Sequence, residues 1–237
     1  MRFSSLWKRQ GSLRRVFLTL ALAFLGVFAT TAQAAPPIDA PYVVNLGDYA
    51  KGDGTDETAA VQEAFDALVS TRKNWKPHLH GYPHRTKRGV LRIPAPEKFY
   101  GISDTIEVHE KWNVLIECDT PVFPGMSLPP NFKWVGGEEG TMFEFNYCGG
   151  IRVENLSLSG DGKDVIGIRL GRANTQAGFF KYCMFTNLMI TEVGTGMKLG
   201  DHPNNGPDIA HNSYRNVLIN GFSEYGLMGL SGNRSEE

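Results

Sequence analysis

The chain has 237 residues, 41% of them hydrophobic, with 24 basic and 25 acidic side chains and a net charge of −1. That length allows one elongated domain or two small ones. The charge balance excludes a general polyanion or nucleic-acid binder.

Residues 1–34 read as an export signal. Arg2, Lys8, Arg9, Arg14 and Arg15 form a basic start without acids, residues 16–29 are apolar but short for a bilayer span, and Ala32-Gln33-Ala34 is a small-residue cleavage site. Arg14-Arg15-Val16-Phe17-Leu18 resembles a twin-arginine signal, and an ordinary secretory signal is the alternative. Either route predicts a periplasmic or extracellular protein of bacterial origin with no stable membrane span. Removing five basic residues leaves 19 against 25 acids, a net of −6.

Residues 35–41 form a proline-rich leader, and one domain is expected over 42–237. A strand at Tyr42 to Leu46 precedes Gly52-Asp53-Gly54-Thr55-Asp56-Glu57-Thr58. The glycines supply backbone freedom, Thr55 or Asp56 can cap a helix, and acids in its first turn favour the dipole. Val61, Ala64, Phe65 and Leu68 recur at helical spacing, so residues 58–70 predict a helix that lids the end of a β-stack. Asp53 and Asp56 are given structural roles. The stretch 72–88 holds six cations, three histidines and no acid. It reads as a solvated insertion, or as an arm that grips an acidic sugar chain.

Strands are expected between Phe99 and Cys118, a Pro- and Gly-rich loop over 120–140, and a strand over 141–145. Trp134 is read as a packed loop aromatic, with a sugar platform as the alternative. The three cysteines, Cys118, Cys148 and Cys183, show no metal-type spacing. Buried thiols are expected, with one disulfide left open.

Regular coils are predicted over about 141–230. Val153 to Leu158 (VENLSL), Phe185 to Ile190 (FTNLMI) and Tyr214 to Ile219 (YRNVLI) repeat one pattern, and Gly167, Gly196 and Gly226 each head a second element. The asparagines step by 32 and 29 residues and the glycines by 29 and 30. Two signals in one period mark a solenoid. Val153 lies three residues before Leu156, so Asn155 must bend the strand if both face inward. Asn tolerates the left-handed backbone such a bend needs. Asn155, Asn187 and Asn216 are thus expected to stack as an amide ladder.

In the Gly-headed strands Arg169 and Lys198 are expected to point to solvent on neighbouring coils. Two adjacent cations are unfavourable unless an anion or solvent intervenes. The loops beyond hold Arg172 and Asn174, then Asp201, His202, Asp208 and His211. A carboxylate and a histidine can do acid–base work near neutral pH, which makes Asp201/His202 and Asp208/His211 the catalytic candidates. Ordinary polar loop residues are the alternative. The chain's apolar pattern stops at Leu230, so the last rung is expected to be uncapped and prone to self-association.

The run NLGDYAKGDGTDETAAVQEAFDAL from Asn45, followed by GVLRIP at Gly89 to Pro94, resembles the amino-terminal region of the pectate-lyase superfamily. It departs from the usual pattern at Tyr49 and Ala50, at Glu57, and in the Pro94-to-Tyr100 stretch. The resemblance implies an all-β, right-handed parallel β-helix with an N-terminal capping α-helix. It also implies a groove for polysaccharide, with Arg169, Lys198, Arg172 and Asn174 as substrate-binding residues. The implied activity is that of a lyase or glycoside hydrolase on an acidic or plant-type glycan; the alternative is a non-catalytic glycan-binding or adhesion β-helix. Neither the paired-Asp pattern of polygalacturonases nor the calcium-site acid cluster of pectate lyases is found; no cofactor is expected, with calcium left open although nothing in the sequence supports it. A leucine-rich repeat would need denser leucines and a shorter period.

Overall fold

Each repeat of the sequence pairs with the next as parallel β-strands in a computed structural model, which describes residues 42–69, 89–122, 129–171, 179–200 and 208–229. The export segment, the leader and the basic insertion lie outside these residues, as do Arg172, Asn174, Asp201 and His202. The described strands are β1 (Val43–Asn45), β2 (Asp53–Asp56), β3 (Gly89–Ile93), β4 (Phe99–Ile102), β5 (Ile106–His109), β6 (Val114–Cys118), β7 (Phe132–Trp134) and β8 (Glu139–Asn146). They continue with β9 (Cys148–Gly149), β10 (Arg152–Glu154), β11 (Ser157–Leu170), β12 (Phe179–Lys181), β13 (Met184–Leu199), β14 (Asp208–Ala210), β15 (Ser213–Asn220) and β16 (Tyr225–Gly229). One α-helix, α1 (Thr58–Ala67), is described.

The result is a mostly parallel, strongly curled sheet with one helix, compatible with a parallel β-helix. One ladder runs β1–β3–β6–β10–β13–β15. A second runs β2–β4–β7 and continues through the first residues of β11. A third joins β5, β8, the end of β11, the end of β13 and β16. β9, β12 and β14 form a separate three-stranded parallel sheet. β11 and β13 are long because each passes through a bend from one ladder to the next.

The bends recur at fixed places. Asn155, Asn187 and Asn216 have φ of 60°, 56° and 52°. Asn113, Gly150, Tyr182 and His211, at 51°, 65°, 57° and 57°, make another bend before the first ladder. Inward residues between bends stack into a continuous aromatic core. Phe132 lies 5.1 Å from Phe143, and Phe145 lies 5.8 Å from Phe185, between ring centres. Aromatic pairs at such distances add to the burial of their large apolar area.

Gly167 and Gly196 are required for space rather than for bending. A Cβ on Gly167 would lie 2.7 Å from Ile190 Cγ2 and 2.8 Å from the Gly196 carbonyl. A Cβ on Gly196 would collide with Ile219 and the Gly226 carbonyl.

Helix α1 covers the first rung with Val61, Ala64 and Phe65, and Phe65 meets Phe143 at 5.8 Å. Its tip is tied to the sheet by side chains. Gln62 Nε2 donates to the Glu107 carbonyl at 3.0 Å, and the Glu107 N–H donates to Gln62 Oε1 at 2.8 Å. One side-chain amide thereby stands in for a neighbouring strand along β5. Lys111 Nζ donates to the Asp66 and Leu68 carbonyls, satisfying orphan acceptors at the helix C-terminus.

Two expectations change here. The first helical turn contains no acid: the helix starts at Thr58, because the Glu57 N–H is still bonded to the Gly101 carbonyl. The stretch 120–140 is not all loop. Phe132 and Trp134 are buried on either side of Lys133, and β7 pairs with β4 and β11. Long-range pairing overrides the local Pro and Gly signal.

Candidate functional site

The amide ladder forms by hydrogen bonds between the bend asparagines. Asn187 Nδ2 donates to Asn155 Oδ1 at 2.9 Å, and Asn216 Nδ2 donates to Asn187 Oδ1 at 3.0 Å. Asn155 Nδ2 reaches the Cys118 carbonyl at 3.4 Å. Each amide satisfies the one before it, and the left-handed backbone aims all three along the stack.

The acids of the glycine-rich turn hold local structure. The Thr55 hydroxyl and N–H donate to Asp53 Oδ1 and keep its carboxyl below the usual range. The Ser103 hydroxyl, then that of Thr58, does the same for Asp56, which also accepts the Thr58 N–H at the helix start. Glu57 turns back to accept the Lys51 and Gly52 N–H groups. Trp134 is 3% exposed, donates Nε1 to the Gly137 carbonyl and leaves no room for a Cβ on Gly140, so it is no open platform.

Arg169 and Lys198 are register partners on adjacent strands, as the sequence spacing predicts. They are not the freely solvated pair expected. Register partners continue the row as Glu107, Glu144, Arg169, Lys198 and Met228. Arg169 Nη1 lies 3.5 Å from Glu144 Oε2, with the two side chains 23% and 9% exposed. The carboxylate offsets the repulsion between the two cations. The Arg169 Nε donor and the Asn146 Oδ1 acceptor are buried and find no hydrogen-bond partner among the described residues. Glu144 was legible in the sequence: Phe143-Glu144-Phe145 repeats the in–out–in order of Ile168-Arg169-Leu170. Its shorter step of 25 residues to Arg169 hides it from a search at 29 to 32.

Of the acid–base candidates, Asp201 and His202 lie outside the described residues, and of Asp208 only the backbone is described. His211 stacks on Tyr182 with ring centres 5.0 Å apart and planes 5° from parallel. It lies at the bend between β14 and β15, whereas Arg169 lies near the end of β11. Asp208 opens β14 and pairs by backbone with Phe179. The three thiols are free and buried, and burial raises the pKa of each, Cys148 to about 12. Such thiols are neutral and poor nucleophiles. Among the described residues no cluster of three or more His, Cys, Asp or Glu could hold a metal, and no helix is long and apolar enough to cross a membrane.

No family model and no curated protein matches the chain. Among solved structures it is similar to a protein described as Geobacillus virus E2 ORF18, at 15% identity and a TM-score of 0.28, over 74% of this chain and 48% of that one. The chain therefore spans about half the length of that protein, and a score so low carries no argument about function.

Proposed function

We propose that this is an exported right-handed parallel β-helix of pectate-lyase type that binds an acidic polysaccharide along the row containing Arg169 and Lys198. The observation that carries the reading is the adjacency of these two cations, one strand spacing apart as register partners. A carboxylated sugar would bridge the outer guanidinium nitrogens of Arg169 and the Lys198 ammonium. Catalysis as a lyase or glycoside hydrolase would fall to Asp201, His202, Asp208 or His211, in and beyond the loop that leaves Lys198. A non-catalytic glycan-binding role needs only the cations. The Glu144 contact favours a further reading, in which the row is an ionic seam of the sheet without a ligand.

Binding of polygalacturonate and of a neutral glucan, measured by calorimetry at low and high salt, tests the proposal. The acidic polymer should bind better, and salt should weaken it, since the contact is partly between charges. Lys198→Ala and the compensated pair Arg169→Ala/Glu144→Gln should both lose the preference. Unchanged binding by both variants would establish the ionic seam. Unsaturated, ultraviolet-absorbing ends would identify a lyase and new reducing ends a hydrolase.

A further inference from the structure

The charged row on the outer face of the third ladder changes sign along the stack. Glu107, Glu144, Arg169 and Lys198 follow one another as register partners, each about 4.8 Å from the next. The two acids stand nearest α1, and the two cations follow. Among the described strands β5 pairs only with β8, and the Gln62 amide takes the Glu107 N–H and carbonyl that a further strand would use. Glu107 is therefore a fixed end of the row. Ile106 and Val108 are buried on either side of it, which turns its carboxylate outward. Glu144 is largely buried and lies against Arg169, so the sign changes at that contact.

A chain laid along this row is attracted over Arg169 and Lys198 and repelled over Glu107 if it carries a charge on every unit. A ligand carboxylate about 5 Å from Glu107 would weaken binding roughly fourfold even at the dielectric constant of water. An uncharged sugar at the same place can donate a hydroxyl to the carboxylate instead. Resting on the polysaccharide reading of this row, we infer that it takes a glycan in which a short block of carboxylated units adjoins uncharged ones, and that Glu107 is the residue that disfavours an unbroken polyuronate. Arg169 and Lys198 hold the acidic block, and the uncharged block lies toward α1.

Calorimetry with the full chain at low salt tests this. The probes are a galacturonate tetramer, the same tetramer methyl-esterified on its first two or its last two units, and a neutral glucose tetramer. The parent should bind one half-esterified tetramer about fourfold more tightly than the fully acidic one. That preference should disappear near 1 M salt, where the screening length is about 3 Å. Glu107→Gln should tighten the acidic tetramer about fourfold and remove the preference, with the circular dichroism of the parent. Glu97→Gln changes the net charge equally, on the exposed turn before β4, and should keep the preference. A parent that prefers acidic over neutral tetramer but binds the fully acidic one as well as either half-esterified form overturns the block specificity alone. So does a Glu107→Gln variant with the parent's preference, or a Glu97→Gln variant without it. Equal binding of neutral and acidic tetramers would overturn the polysaccharide reading itself, and the specificity with it.

Discussion

Asn187 occupies the middle of the ladder, donating to Asn155 and accepting from Asn216. Asn187→Ala removes both bonds and places alanine at φ 56°. It should cost on the order of 2–3 kcal/mol, against about 1–2 kcal/mol for Asn216→Ala, which breaks one bond. Asn187→Gly keeps the bend and should recover part of the loss; equal urea midpoints for all three would show that the amides do not act as a ladder. Asp56 gives a pH test. Its carboxyl is held below the usual aspartate range, chiefly by the Ser103 hydroxyl, so the folded state prefers the ionised form. That contribution is complete above the unfolded pKa and is lost as pH falls through the lower folded value. Stability should therefore drop below about pH 4, and Ser103→Ala should flatten that part of the acid limb in thermal melts at fixed salt.

At the scale of elements, helix and sheet are joined by a few specific atoms. Gln62→Ala removes both bonds to the Glu107 backbone and should speed hydrogen exchange at the Glu107 amide, with a stability loss of about 1 kcal/mol. Gln62→Glu keeps an acceptor and loses the donor, so it should fall between the two. Unchanged exchange in Gln62→Ala would mean that the edge of β5 is protected by something else. Gly196→Ala tests the close approach of neighbouring coils. The added methyl collides with Ile219 and a backbone carbonyl, so a loss of about 1–3 kcal/mol in denaturant melts is expected. A neutral result would require the coils to separate at little cost.

For the whole molecule, the parallel ladders make stability a matter of neighbouring coils: β13, for example, meets β10 a repeat earlier and β15 a repeat later. Export is tested separately. Arg14→Lys/Arg15→Lys should stop appearance outside the cytoplasm if the twin-arginine receptor reads the pair. Normal export of the double variant, followed by fractionation, would assign the ordinary secretory route instead.

The repeat was legible in the sequence because one bend and one close approach recur in every coil, and each demands a rare residue. Few residues besides glycine tolerate a left-handed backbone, and asparagine alone among the candidates adds an amide that can bond to its neighbour. Val61, Ala64 and Phe65 announced the helix in the same way, by matching helical period to one buried face. What local pattern could not carry was contact between distant segments. Phe132 to Trp134 became a strand because β4 and β11 lie on either side of it, against the turn signals around it. Tyr182 and His211 adopt the left-handed bend without the residue type that would advertise it. Glu144 joined Arg169 because a 25-residue step closes one coil where its neighbours take 29 or more. Side-chain period is a property of the chain's own backbone, so sequence alone fixes it. Which carboxylate offsets which cation depends on register between coils, and only the folded stack sets that.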